Sequence, residues 1–263
     1  MQWDPTQYAR FAEQRSRPFF DLVSQVHADA PATVADLGCG SGELTAALAE
    51  RWPGARIVGI DSSPEMIERA QAHGSSTVQF RSGRAEEFSA AGTDVLVSNA
   101  LLQWVPGHRD LLRSWLAELN PGGWLAFQVP ANFSSPSHRL MRAIASSPRW
   151  RGRLGTTLRH DDAVAEPAAY LELFSSCTLT GISAWQTTYL HVLPGEDPVL
   201  DWVRGSGLRP VLNVLTDDEI TEFEAEYGAR LRLDYPKRPY GTVFDFRRTF
   251  VVAHKAGPAR SEI

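Results

Sequence analysis

The chain has 263 residues, 43% of them hydrophobic, and a formal net charge of −5. That supplies apolar residues for a packed core and excludes the clustered Lys and Arg track that nucleic-acid phosphates require. Cys39 and Cys177 are too few for a disulfide framework, no run approaches the roughly 18 apolar residues of a membrane helix, and the first residues lack the basic and apolar regions of a signal peptide, so a cytoplasmic protein acting on small molecules is expected.

In chain order, the first predicted element is a helix capped by Asp4, with Pro5 at its first position and Gln7 as the capping-box partner. Pro18 should end it, because the residue before a proline is pushed out of the helical region, and a second helix is expected over residues 18–26. A short apolar strand over 33–37 runs into a glycine cluster. The helix after it carries Leu44, Leu48 and Trp52 on one face and stops at Pro53-Gly54. A strand over 56–60 leads to Ser63, a helix cap with Pro64 at the first position, and Gly74 ends that helix. Strands follow at 77–80, 94–98 and 124–129; a helix over 111–119 precedes the last of them and closes at Asn120-Pro121-Gly122-Gly123. Strands separated by helices of this length imply βαβ units and a mostly parallel, doubly wound α/β sheet.

The C-terminal part changes character. Residues 179–189 and 246–254 alternate like strands that complete a seven-stranded sheet, with an antiparallel arrangement open to them. Between them Thr216-Asp217-Asp218-Glu219 forms a capping box ahead of Ile220, Phe223 and Leu231. Residues 131–177 and 194–240 therefore read as helical additions to a single domain spanning 1–263.

The stretch Val34-Ala35-Asp36-Leu37-Gly38-Cys39-Gly40-Ser41-Gly42 places three glycines between a strand and a helix. Glycine lets backbone approach a ligand and turn sharply. A dinucleotide-binding loop would follow G-x-G-x-x-G and need glycine at position 43, which is Glu, a poor neighbour for a pyrophosphate. Asp36 stands where it can meet the ammonium of a methionine moiety. Asp61 ends the second strand, 21 residues after Gly40, where an acidic side chain can accept two ribose hydroxyls or cap a turn. Met66 can lie against an adenine or fill the core.

Asp36-Leu37-Gly38-Cys39-Gly40, Gly59-Ile60-Asp61 and Asn120-Pro121-Gly122-Gly123 resemble the motifs of class I S-adenosylmethionine-dependent methyltransferases. More narrowly, the chain resembles the trans-aconitate methyltransferase family. The carriers are Trp3-Asp4-Pro5 with Tyr8, Arg15-Ser16-Arg17-Pro18, Asp61-Ser62-Ser63-Pro64, Ser98-Asn99-Ala100 and Gln103-Trp104-Val105. They continue with Asn132 and Pro136-Ser137-His138, Thr187-Thr188-Tyr189, Asp201-Trp202-Val203, Gly207-Leu208-Arg209-Pro210 and Phe246-Arg247-Arg248. The resemblance covers nearly the whole chain. It implies a Rossmann-like fold, S-adenosylmethionine as cofactor, and a carboxylate of trans-aconitate as methyl acceptor.

On that resemblance, the cofactor-binding residues are Tyr8, Arg15, Asp36, Gly38, Gly40, Asp61, Ser62, Met66, Ala85 and Asn99. Tyr8 and Arg15 share a helix face and would close, as part of a helical lid over 1–28, on the cofactor's carboxylate. Gly83 is followed by Arg84 where this family usually has Asp, so Ala85 offers a backbone amide to the adenine and Glu86 is the substitute acceptor. A polycarboxylate needs cationic partners, and Arg matches carboxylate geometry. Arg17, Arg209 and Arg248 are the acceptor-binding arginines, with Trp104, Asn132, His138 and Tyr189 as further pocket residues. Arg247 and Arg248 are adjacent in a strand and point to opposite faces, so at most one faces the acceptor. The seven histidines show no ligand spacing, and no metal is expected. Two alternatives stay open: a methyltransferase for another small acid or natural product, and a non-catalytic S-adenosylmethionine-binding module.

Overall fold

The computed structural model describes residues 12–158 and 163–257, with side chains from residue 16 onward. Its strands are β1 (Thr33–Leu37), β2 (Arg56–Asp61), β3 (Val78–Ser82), β4 (Val95–Asn99), β5 (Trp124–Pro130), β6 (Leu179–Leu193) and β7 (Thr242–Lys255). They form one seven-stranded sheet in the order β3-β2-β1-β4-β5-β7-β6. The first five are parallel, with Asp36 beside Gly59 on β2 and beside Val97 on β4. β7 runs against β5, since Gly122 bonds Ala256 while Gly123 bonds Lys255. It also runs against β6, where Thr178 bonds Ala256 and the Gln186 side chain bonds Thr249. The sheet is therefore mixed, and the sequence expectation of a doubly wound sheet with two late strands holds.

Buried parallel strands read as continuous apolar runs because helices cover both faces. β4 is such a strand: Val95, Leu96 and Val97 are all fully buried. The helices of this part are α1 (Ala12–Val23), α2 (Glu43–Arg51), α3 (Pro64–Ala70), α4 (His108–Glu118) and α7 (Pro167–Leu173), the two numbers between belonging to helices described below. Ser63 caps α3 by accepting from the Met66 amide, as expected from the sequence. Pro18 does not break α1 but lies inside it, a correction to the sequence reading. The local cost of an interior proline is about 3 kcal/mol. Burial of Phe19, Leu22 and Val23 offsets it, since each fully buried large apolar side chain is worth about 1.5–3 kcal/mol.

The chain divides into two compact units. The first spans residues 16–130, 164–187 and 249 onward and holds β1 to β5. The second takes in 131–163 and 188–248. It contains α5 (Pro136–Ala145), α6 (Arg151–Leu154), α8 (Pro198–Arg204), α9 (Arg209–Leu212) and α10 (Asp217–Asp234). β6 and β7 each give residues to both units. The second unit has its own core, in which Trp202 sits among the rings of His191, Phe244 and Phe246. α10 starts on the expected capping box, with Thr216 and Glu219 bonding reciprocally.

Candidate functional site

In a doubly wound sheet the ligand crevice opens at the carboxyl ends of the strands where the strand order reverses. Here the reversal lies between β1 and β4. The glycine loop leaves β1 at that point. Gly38 has φ of 78°, and a Cβ on it would stand 2.8 Å from the Leu101 Cβ. Gly42 has φ of 91°, caps α2, and would drive a Cβ to 2.9 Å from Ala70 and Phe80. At Gly40, with φ of 55°, a Cβ would find nothing within 4 Å, so its backbone is open to a ligand. Glu43 follows in the first turn of α2 and accepts the Ser41 hydroxyl.

Two acidic side chains meet this loop. Asp61, at the end of β2, accepts the Gly40 amide at 3.0 Å with one oxygen and the Ser63 amide at 2.9 Å with the other. Each oxygen keeps capacity for a further donor. Asp36 is 2% exposed. Its Oδ2 accepts the Thr45 hydroxyl at 2.6 Å, while its Oδ1 accepts no hydrogen bond among the described residues. Burial raises its pKa to about 6; the Thr45 hydrogen bond lowers it, and the Asp61 charge raises it further. Burial likewise pushes the Cys39 thiol up, aided by the charges of Asp36 and Asp61, so the thiol stays protonated.

The remaining cofactor candidates surround the same strand ends. Met66 is buried on α3, and Ser62 is exposed just before the Ser63 cap of that helix. Ala85 is buried at the head of a short 3₁₀ turn, Ala85–Glu87. Glu86, expected from the sequence as a substitute adenine acceptor, is paired with Arg84 at 2.8 Å. Asn99 ends β4, and its side-chain oxygen accepts from Gln128 at 2.5 Å. Ala100 after it has φ of 57°, the single positive value outside glycine among the described residues. Such a conformation costs on the order of 1–3 kcal/mol and marks functional sites. Its amide donates to the Gln128 carbonyl, and its carbonyl accepts the Gln103 side chain. Tyr8 lies outside the described residues, and of Arg15 only its place in α1 is described.

The acceptor candidates fall in both units. Arg17 is largely exposed on α1 beside Asp21, at 3.7 Å, and Trp104 is 46% exposed in the first unit. The others belong to the second unit. Arg248 is 6% exposed and lies over the Phe246 ring at 4.8 Å. Arg247, on the opposite face, is committed to the 131–134 turn through the Ala131 carbonyl at 3.0 Å and the Ser134 hydroxyl at 2.9 Å. Asn132 is buried, and its amide nitrogen stands 3.5 Å from His138 Nδ1. His138 lines a cavity of about 10 Å³, room for about one water, with Phe133, Met141, Arg142 and Gly207. Tyr189 is buried and stacks parallel to His191. Arg209 is half-buried at the start of α9.

Sequence reasoning missed Thr45 and Gln128. Gln128 carries a signal, being a polar residue in the apolar run of β5, fully buried. Thr45 lies in the helix face read through Leu44 and Leu48, and nothing local marks it. Among the described residues no group of His, Cys, Asp and Glu gathers as a metal site, and no helix is long and apolar enough to cross a membrane.

A free buried carboxylate oxygen on Asp36, an open Gly40 and spare acceptor capacity on Asp61 suit a ligand with an ammonium and two vicinal hydroxyls. S-adenosylmethionine carries both. The fold and this set of strand ends define a methyltransferase, and the family described as a methyltransferase domain matches residues 11–166. More particularly, the chain belongs to the trans-aconitate 2-methyltransferase family. It is 56% identical over 263 residues to trans-aconitate 2-methyltransferase of Streptomyces avermitilis, covering 96% of this chain and 97% of that one. The enzyme of the same name from Rhodococcus jostii is 47% identical, covering 95% and 98%. That from Mycobacterium tuberculosis is 46% identical, covering 98% and 99%. Among solved structures, the YcgJ protein of Bacillus subtilis has a TM-score of 0.59 at 16% identity, covering 92% of this chain and 99% of that one. Geranyl diphosphate C-methyltransferase from Streptomyces coelicolor has a TM-score of 0.52 at 15% identity, covering 95% and 82%. These two likenesses bear on the fold alone.

Proposed function

We propose that this enzyme transfers the methyl group of S-adenosylmethionine to a carboxylate of trans-aconitate, giving a monomethyl ester and S-adenosylhomocysteine. The observation that carries this reading is 56% identity, over 96% of the chain, to a protein of that name. The cofactor supplies an electrophilic methyl group when bound. Asp36 receives its ammonium, Asp61 its ribose hydroxyls, and the Ala85 amide and Met66 its adenine, with Gly38 and Gly40 opening the loop and Ser62 and Asn99 lining it. Tyr8 and Arg15, in the 1–28 segment, hold its carboxylate.

The acceptor needs little chemistry from the protein. A carboxylic acid with a pKa of about 4 is already ionised at pH 7, so no general base and no metal ion is required. The residues orient the anion and exclude water, with reacting atoms about 3–3.5 Å apart. Arg248 is the leading partner for a non-reacting carboxylate, because it is a buried cation in the Phe246-Arg247-Arg248 strand signature. Arg209 and Arg17 follow it, and Trp104, Asn132, His138 and Tyr189 are the further acceptor residues that the family resemblance supports. Two unpaired cysteines, Cys39 and Cys177, fit the reducing cytoplasm.

The test is transfer of labelled methyl from S-adenosylmethionine to trans-aconitate, cis-aconitate, isocitrate and citrate. Preferred labelling of trans-aconitate is expected. Equal or better labelling of another acid would reassign the substrate, and binding without transfer to any acid would point to a non-catalytic module.

A further inference from the structure

Asp36 lies one residue from the end of β1, among apolar neighbours, and carries a charge with little around it to balance one. The ionisable groups that face it are Asp61 at the end of β2 and the Cys39 thiol in the loop, both acidic. Ser98 on the adjoining β4 is buried, and its hydroxyl is spent on the Leu37 carbonyl. The single neutral donor to the carboxylate among the described residues is Thr45. It is fully buried in the first turn of α2, and its hydroxyl reaches Oδ2 at 2.6 Å. A hydroxyl has one proton to give, so this donor is committed. The other oxygen, Oδ1, accepts no hydrogen bond among the described residues. A buried unsatisfied acceptor is costly, so one kept unsatisfied calls for a partner.

We infer that Thr45 is a positioning residue for the cofactor site: its hydroxyl anchors Oδ2 of Asp36, which turns Oδ1 toward the ligand and keeps the carboxylate an anion. The inference rests on the reading that Asp36 receives the cofactor's ammonium. An anchored oxygen fixes rotation about the last side-chain bond, so the free oxygen points in one direction. A hydrogen bond to the charged form favours that form against the desolvation that burial imposes. Valine at position 45 keeps the shape and removes the donor. Serine keeps the donor and removes a methyl group.

The experiment is calorimetric titration of the whole enzyme with S-adenosylhomocysteine from pH 5.5 to 8.5, for wild type, Asp36→Asn, Thr45→Val and Thr45→Ser. Asp36→Asn should weaken binding at least tenfold at pH 7.5. Thr45→Val should weaken it about fivefold or more at pH 7, with the loss shrinking at pH 8.5 as alkali restores the anion. Thr45→Ser should return to within about twofold of wild type. If Asp36→Asn binds as wild type does, the reading of Asp36 itself fails and this inference falls with it. If Asp36→Asn is impaired while Thr45→Val is not, Asp36 stands and the role of Thr45 is overturned. A Thr45→Val loss that Thr45→Ser shares would mark a packing role instead and overturn it equally, and a loss equal at every pH would show that the hydroxyl does not hold the anion and overturn it as well.

Discussion

Each oxygen of Asp61 already accepts one backbone amide, from Gly40 and from Ser63, before any ligand arrives. Asp61→Ala therefore removes a brace of the glycine loop along with the proposed ribose acceptor. At about 1.5–3 kcal/mol for a hydrogen bond to a charged group, the dissociation constant for S-adenosylhomocysteine should rise at least tenfold by calorimetry. Burial of Asp36 costs stability, and the ammonium contact proposed for it is the gain set against that cost. Its folded pKa, about 6, exceeds the ordinary carboxylate value, so the folded state holds its proton more tightly than the unfolded chain. The penalty is absent below about pH 4, grows as pH rises through that interval, and is complete above pH 6. At about 1.4 kcal/mol per unit it reaches roughly 3 kcal/mol. Asp36→Asn should accordingly raise the thermal midpoint of the ligand-free protein at pH 7.5 and leave it nearly unchanged at pH 4, read by calorimetric melting. For Arg248→Ala, kcat/KM for trans-aconitate should fall by at least 30-fold, as truncating a buried charge partner costs about 2–5 kcal/mol. Affinity for S-adenosylhomocysteine should stay within about twofold. If instead Arg247→Ala alone is impaired, the strand presents its other face to the acceptor.

The elements are held in register by small polar staples, and the clearest lies at the opposite end of the sheet from the glycine loop. Asp94 accepts the Ala32 and Thr33 amides and the Thr33 hydroxyl with one oxygen, and the Asn120 side chain at 2.6 Å with the other. Desolvation alone would raise its pKa, but the hydrogen bonds from Asn120, Thr33 and Ala32 outweigh it and hold the carboxyl below its usual range. A depressed folded pKa contributes stability that is present above the unfolded value of about 3.9 and is lost as pH falls through the folded one. Asp94→Ala should lower the thermal midpoint at pH 7, and its acid-induced loss below about pH 4 should be smaller than that of wild type. Asn120-Pro121-Gly122-Gly123, read in the sequence as a helix stop and a family signature, thus supplies the partner that ties α4 to β1 and β4. The order of strands and helices was legible because parallel strands and their helices alternate in length and apolar period. The glycine loop was legible because positive φ leaves few residue choices. Pro18 misled, since its local penalty is offset by the burial of Phe19, Leu22 and Val23, which a local reading does not see. Arg247 and Arg248 could be separated in principle by the pleat, but which one is buried depends on the 131–134 turn, far away in sequence. Thr45 left no local trace, because its role is a contact with another element.

At the scale of the molecule, the two units are interleaved along the chain: residues 131–163 and 188–248 lie in one, and residues 16–130, 164–187 and 249–257 lie in the other. The last strand in sequence, β7, lies between β5 and β6 in the sheet. During synthesis on the ribosome, β1 to β5 are complete by residue 130, yet the strand that covers the edge of β5 begins at Thr242. For more than a hundred residues of translation, β5 keeps an open edge of apolar sequence, the kind of surface that pairs with other chains. Chains stopped before residue 242 should therefore enter aggregates on expression, whereas chains ending at residue 257 should remain in the supernatant with a cooperative melt. The enzyme completes its sheet only with its final strand, which makes premature termination near the C-terminus as damaging as termination in the middle.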